Sequence, residues 1–179
     1  MIQVSSQSNR VDRNVYNIPE GGGDLASWAL LLQIERYDIL EAQVRDEFDD
    51  MQRRNDWLKT ANLALAALRA NRPNSDKDPE RWYGRFDDPH GKDVHVHKWM
   101  LDNGIDIEQE GGDAHGTQAD FDAAISNLKA RIDNVNSESG MAVIRLQSLM
   151  DKAQQCLELT TNLLAKASKA KENILSNIR

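Results

Sequence analysis

Two stretches of the chain repeat apolar residues at helical spacing, and the segment between them does not. Residues 25–70 read LASWALLLQIERYDILEAQVRDEFDDMQRRNDWLKTANLALAALRA and contain neither glycine nor proline. Tyr37, Leu40, Val44, Phe48, Met51, Leu58, Ala61, Leu65 and Leu68 recur there at spacings of three, four and seven, the seam of a coiled-coil-like helix. In the first turns, Leu25, Trp28, Leu30, Leu31, Leu32 and Ile34 spread apolar surface over more than one face, as expected where a helix meets two neighbours. The pattern predicts one helix over 24–70, capped by the Asp24 carboxylate and roughly 70 Å long. It stops before Pro73, because the residue preceding a proline is pushed out of helical geometry.

The second periodic stretch is longer. Phe121, Ile125, Leu128, Ile132, Val135, Ser139, Ala142, Leu146, Leu149, Ala153, Cys156, Thr160, Leu163, Ala167, Ala170, Ile174 and Asn177 alternate steps of four and three without a slip. Thr117 with Asp120 makes a capping-box start, so residues 117–179 are predicted as one helix of roughly 90 Å. Asn136-Ser137-Glu138-Ser139-Gly140 has low helix propensity and predicts a kink or a short break near 136–140.

Between the two lie residues 71–116, where Pro73, Pro79, Pro89 and the clusters PNSDKDPE, DDPHGKD and EQEGGDAHG break any long element. A short helix over 93–103 closed by Gly104, then an extended Ile105-Asp106-Ile107, are the elements that fit. Trp82, Tyr83, Phe86 and Trp99 are the candidates for a satellite core. Residues 1–23 are rich in Ser, Asn, Gln and Gly, with scattered apolar residues, and read as a disordered leader.

The fold class that follows is all-α: a long antiparallel helical hairpin with a small irregular insert between its arms. Leu40, Val44, Phe48, Met51, Leu58 and Leu65 of the first arm are expected to meet Phe121, Ile125, Leu128 and Ile132 of the second. The second arm outruns the first by about four turns, so seam is left over. Leu146, Leu149, Ala153, Cys156, Leu163, Ala167 and Ile174 are therefore the expected surface for self-assembly or for a chaperone. A three- or four-helix monomer whose insert covers that surface is the alternative.

Composition adds exclusions. A net charge of −7, with no basic run longer than two residues, argues against nucleic acid or an anionic membrane as main partner. No apolar run reaches the length of a membrane span, and the start of the chain lacks the layout of a cleavable signal peptide. The single cysteine, Cys156, excludes an intramolecular disulfide framework; on the seam it reads as a small buried apolar residue. Asp93-Val-His95-Val-His97 would, on a strand, present two imidazoles and a carboxylate on one side, a grip suited to a metal. His90 and His115 add no ligand spacing, and the cluster reads instead as an accident of a polar loop. No catalytic residue, metal ligand or cofactor site is assigned.

The uncleaved polar leader, the helix opening ASWALLLQIERYDIL, the insert passage KWMLDNGIDI and the closing FDAAISNLKARIDNVNSESGMAVIRLQSLMDKAQQCLELTTNLLAKA together resemble the hydrophilic translocators of bacterial type III secretion systems. These are the needle-tip proteins and the EspA-type filament proteins, and the chain's size is closer to the filament branch. The resemblance implies a protein exported with its leader as signal and assembled outside the bacterium at the secretion needle. It implies as partners further copies of itself, the needle subunit, the hydrophobic translocators and, before export, a cytosolic chaperone. A cytosolic coiled-coil adaptor or secretion chaperone is the alternative from another class.

Overall fold

A computed structural model describes residues 25–109 and 114–177. The leader and the Asp24 cap lie outside the described residues. Two long helices dominate: α1 over Leu25–Asn71 and α3 over Gln118–Asn177, with α2 over Val96–Asp102 in the insert. α1 and α3 run antiparallel along their seams, as four separate contacts along the stalk record. Arg72 pairs with Asp122, the Arg131 guanidinium lies over Trp57, Arg145 meets Glu47, and Cys156 meets Gln33.

The ends of the helices follow local chemistry. Thr117 and Asp120 form the capping box: the Thr117 backbone N–H donates to Asp120 Oδ2 (2.8 Å), and the Asp120 N–H donates to Thr117 Oγ1 (3.4 Å). α1 ends at Asn71, whose side-chain amide donates to the Ala67 carbonyl (2.8 Å) two residues before Pro73. Of the kink or short break that the sequence predicts near 136–140, there is no break: α3 is continuous there. The Ser137 and Ser139 hydroxyls donate back to the Asp133 and Val135 carbonyls, and Gly140 lies in open space where a missing side chain leaves no gap.

The insert has more structure than its breakers suggest. β2 (Arg85–Asp87) pairs antiparallel with β3 (Asp93–His95) across a turn in which Asp88 Oδ1 accepts from the His90 and Lys92 N–H groups. β1 (Arg81–Trp82) pairs antiparallel with β4 (His115–Gly116), joining the two ends of the insert. The short helix α2 begins at Val96 and is closed by Gly104 at φ 67°; the residues before it, 93–95, are strand. Ile105 and Ile107 are buried, in an extended segment without strand pairing.

The core sits where the insert meets the stalk. Leu65 and Leu68 of α1, Tyr83 and Phe86 of the insert, Met100 of α2, and Phe121, Leu128 and Ile132 of α3 form one buried cluster. The Tyr83 ring packs tilted on Phe121 with centroids 4.6 Å apart, while Trp57 lies 5.8 Å from Trp99 and donates its indole N–H to Asn103 Oδ1 (2.7 Å). Gly116 is required by this packing: a Cβ there would stand 2.2 Å from the Tyr83 hydroxyl oxygen.

Candidate functional site

The stalk is the candidate interaction site, and its geometry follows from how the two seams meet. On α3, the series from Phe121 to Ala167 is buried or half-buried at every position. On α1 the same alternation of four and three runs Leu30, Gln33, Tyr37, Leu40, Val44, Glu47, Met51, Arg54, Leu58, Ala61, Leu65 and Leu68, again buried or half-buried throughout. Three of these positions are polar: Gln33, Glu47 and Arg54.

Phe48 is therefore a correction to the expected intramolecular contacts, since it is 45% exposed. Counting from Val44 to Phe48 takes a step of four where the seam takes three. Each residue turns the helix by roughly 100°, so the step to Glu47 keeps the side chain facing α3 and the step to Phe48 carries it off. The Glu47 side chain occupies the seam, 3.8 Å from Arg54 and 3.4 Å from Arg145. The remaining residues expected between the arms lie in the seam: Leu40, Leu65, Phe121, Ile125, Leu128 and Ile132 are buried, and Val44, Met51 and Leu58 are half-buried.

The residues expected to serve self-assembly divide into two groups. Cys156 is 1% exposed, and its thiol donates to the Gln33 carbonyl (3.2 Å) within the same chain. Leu146, Leu149, Ala153, Leu163 and Ala167 are half-buried along the same seam facing α1. Ile174 is exposed, as is every described residue from 168 to 177, because among the described residues no part of α1 stands beside that segment.

Apolar surface is exposed elsewhere, on one flank of the stalk. Val143, Met150, Leu157 and Leu164 follow one another at intervals of seven, each one position past a seam residue, and all are exposed. The antiparallel register that seats Cys156 on Gln33 brings Leu157 within about 3 Å, along the axis, of the level of Ile34, and the Glu47–Arg145 contact brings Val143 close to the level of Phe48; both α1 residues are exposed. The opposite flank mixes charge with apolar side chains: Arg36, Asp50, Glu138, Arg145, Lys152 and Lys166 lie along it, with Leu32, Ile39 and Leu159 exposed among them. A shallow depression there is lined by Gln43, Asp46, Glu47, Asp50, Arg145 and Leu149. No sequence reading singled out the apolar flank. Its signal was the second series of sevens from Val143 to Leu164, lying beside the stronger seam series and hidden by it.

The histidine cluster of the insert does not converge. β3 ends at His95 and His97 lies on α2, so the alternation of a strand does not carry through. His95 meets Arg85 Nη2 at 2.8 Å and lies edge-on to Trp82; His97 stacks on Tyr83 and its Nε2 is 3.0 Å from the Glu108 carbonyl. Among the described residues no three His, Cys, Asp or Glu side chains gather as metal ligands, and no helix is long and apolar enough to cross a membrane. At the insert end, the Arg72 guanidinium holds the Asp122 carboxyl below its ordinary value of 3.8 through two parallel hydrogen bonds of 2.7 and 2.6 Å.

Comparison with protein-family models, with curated proteins and with solved structures gives no match.

Proposed function

We propose that the protein is a structural subunit exported through a type III secretion apparatus and assembled with copies of itself at the needle tip or in an extracellular filament, where it supports delivery of effectors into host cells. The observation that carries the assembly half of this reading is the row of exposed apolar side chains along one flank of the stalk, from Val143 to Leu164. Exposed apolar area on this scale is the mark of a surface that meets protein. The secretion half rests on the resemblance in layout: polar leader, long helix, small insert, long closing helix. Partners on this reading are further copies, the needle subunit, the hydrophobic translocators and a cytosolic chaperone that covers the stalk before export.

The two halves are tested separately. Deleting residues 1–20 is expected to abolish release from secreting bacteria while leaving the helical circular-dichroism signal of the purified protein unchanged. Electron microscopy of the purified full chain is expected to show oligomers or filaments. Unchanged localisation after the deletion would redirect the reading to a cytosolic coiled-coil adaptor.

A further inference from the structure

The geometry points to a second copy of this chain as the occupant of the apolar flank, docked antiparallel so that two stalks form a four-helix bundle with α3 against α3. This inference rests on the assembly reading above and assigns it a surface different from the seam residues that the sequence suggested.

The flank has the pattern of a second seam. Between Val143, Met150, Leu157 and Leu164 stand Gln147, Gln154 and Thr161, so the face advances by four and three with no charge at these seven positions, and Glu158 stands at its edge, accepting from Gln154 (3.4 Å). In a chain with 28% charged residues, such an uncharged run on an exposed face is the character of a helix–helix contact and not of a solvated surface. Exposure of the apolar members, with Ile34 and Phe48 of α1, lies between 39% at Ile34 and 57% at Met150. A shallow depression at Gln154, Leu157, Glu158, Thr161 and Asn162 interrupts the face near its middle.

Self-pairing is favoured by the symmetry of the pattern. Reversing the helix about a point beside Gln154 sets Val143 level with Leu164 of the other copy and Met150 level with Leu157, so every large apolar residue meets another. Gln154 then lies close to its own counterpart, where two side-chain amides can donate and accept in turn. The area is sufficient. The face is about 32 Å long from 143 to 164 at 1.5 Å per residue and about 20 Å wide across two helices, roughly 1,300 Å² over both copies. Stable interfaces bury about 1,200–2,000 Å². The charged residues of the face, Asp38, Glu41 and Arg45, all lie on its α1 half, inside the width counted here and off the α3–α3 line of contact.

The test uses the full chain carrying Cys156→Ser, so that an introduced cysteine is the sole thiol. Gln154→Cys is expected to oxidise to a disulfide dimer under mild oxidant at micromolar protein, while Lys152→Cys on the opposite flank stays monomeric on a non-reducing gel. Without the cysteine changes, Met150→Glu with Leu157→Glu is expected to raise the dissociation constant for self-association by about 100-fold or more in sedimentation velocity, with helix content unchanged. If the wild type assembles, the double glutamate variant assembles equally and Gln154→Cys does not cross-link, this surface is wrong and the assembly reading stands. A wild type that stays monomeric at all concentrations overturns both. If Gln154→Cys cross-links only after residues 1–23 are removed, the leader occupies the groove and the second-copy assignment falls.

Discussion

At the insert end of the stalk, Phe121 packs tilted against Tyr83, Leu68 and Leu128 are fully enclosed, and Arg72 ties the end of α1 to the first turn of α3. Farther along the same two helices, Cys156 meets Gln33, the seam residues around it are half-buried, and large apolar side chains lie open on one flank. The heptad pattern is the same in both places; the number of layers differs. Two helices cover one stripe of each other, and near the insert the strands and α2 supply the third side that closes a core. At the far end no described residue of the chain does so. Burial is concentrated where the subunit closes on itself, and the proposed association surface lies where it does not.

The strongest way to sharpen that contrast is truncation on each side of it. Phe121→Ala is expected to cost about 3–5 kcal/mol in chemical denaturation, since the ring is wholly buried. Leu163→Ala, on the half-buried seam, is expected to cost about 1 kcal/mol or less. Equal losses would erase the distinction between the two ends.

The middle of the stalk offers an intermediate effect. Glu47 Oε1 and Arg54 Nη1 are buried in the seam without a hydrogen bond, so their attraction offsets desolvation poorly. The double change Glu47→Leu with Arg54→Leu is expected to stabilise the hairpin by about 1–4 kcal/mol, with each single change less stable than the double. A double variant less stable than the wild type would show that the pair holds the register. Thr117→Ala removes one partner of the capping box at the start of α3 and is expected to cost about 1 kcal/mol, seen as a drop of a few degrees in the thermal midpoint.

The smallest effect is acid-dependent and belongs to the insert end. Because the folded-state pKa of Asp122 is depressed, its pair with Arg72 contributes fully above the ordinary value of 3.8 and is lost as pH falls through the lower folded value. Wild type and Asp122→Asn are expected to differ in thermal midpoint at pH 6 and to converge as the pH is lowered below 3.8. A constant gap at all pH values would remove the ion pair from the account.

The long elements were legible because α1 is a run without Gly or Pro and α3 an unslipped alternation of four and three, each marked by its own stop or start: Pro73 for α1 and Thr117 with Asp120 for α3. What failed was the phase of the seam at Phe48, where the larger apolar residue outweighed strict spacing in the reading while strict spacing won in the fold. The helix runs on without a break through 136–140 for a related reason: poor helix formers there are overridden by packing of Val135 and Ala142 on either side. The pairing of Arg81 and Trp82 with His115 and Gly116 joins residues more than thirty apart and leaves no local periodicity to read. The apolar flank was written in the sequence at intervals of seven, but only the position of the first seam separates a second face from the first.

The central claim is that the far end of the stalk is incomplete in one subunit and completed by another. Residue-resolved hydrogen exchange across a concentration series tests it directly. The account predicts slow exchange near Leu128 at every concentration, and exchange over 143–164 that is fast in dilute protein and slows as concentration rises. Uniformly slow exchange over 143–164 in dilute monomer would contradict it.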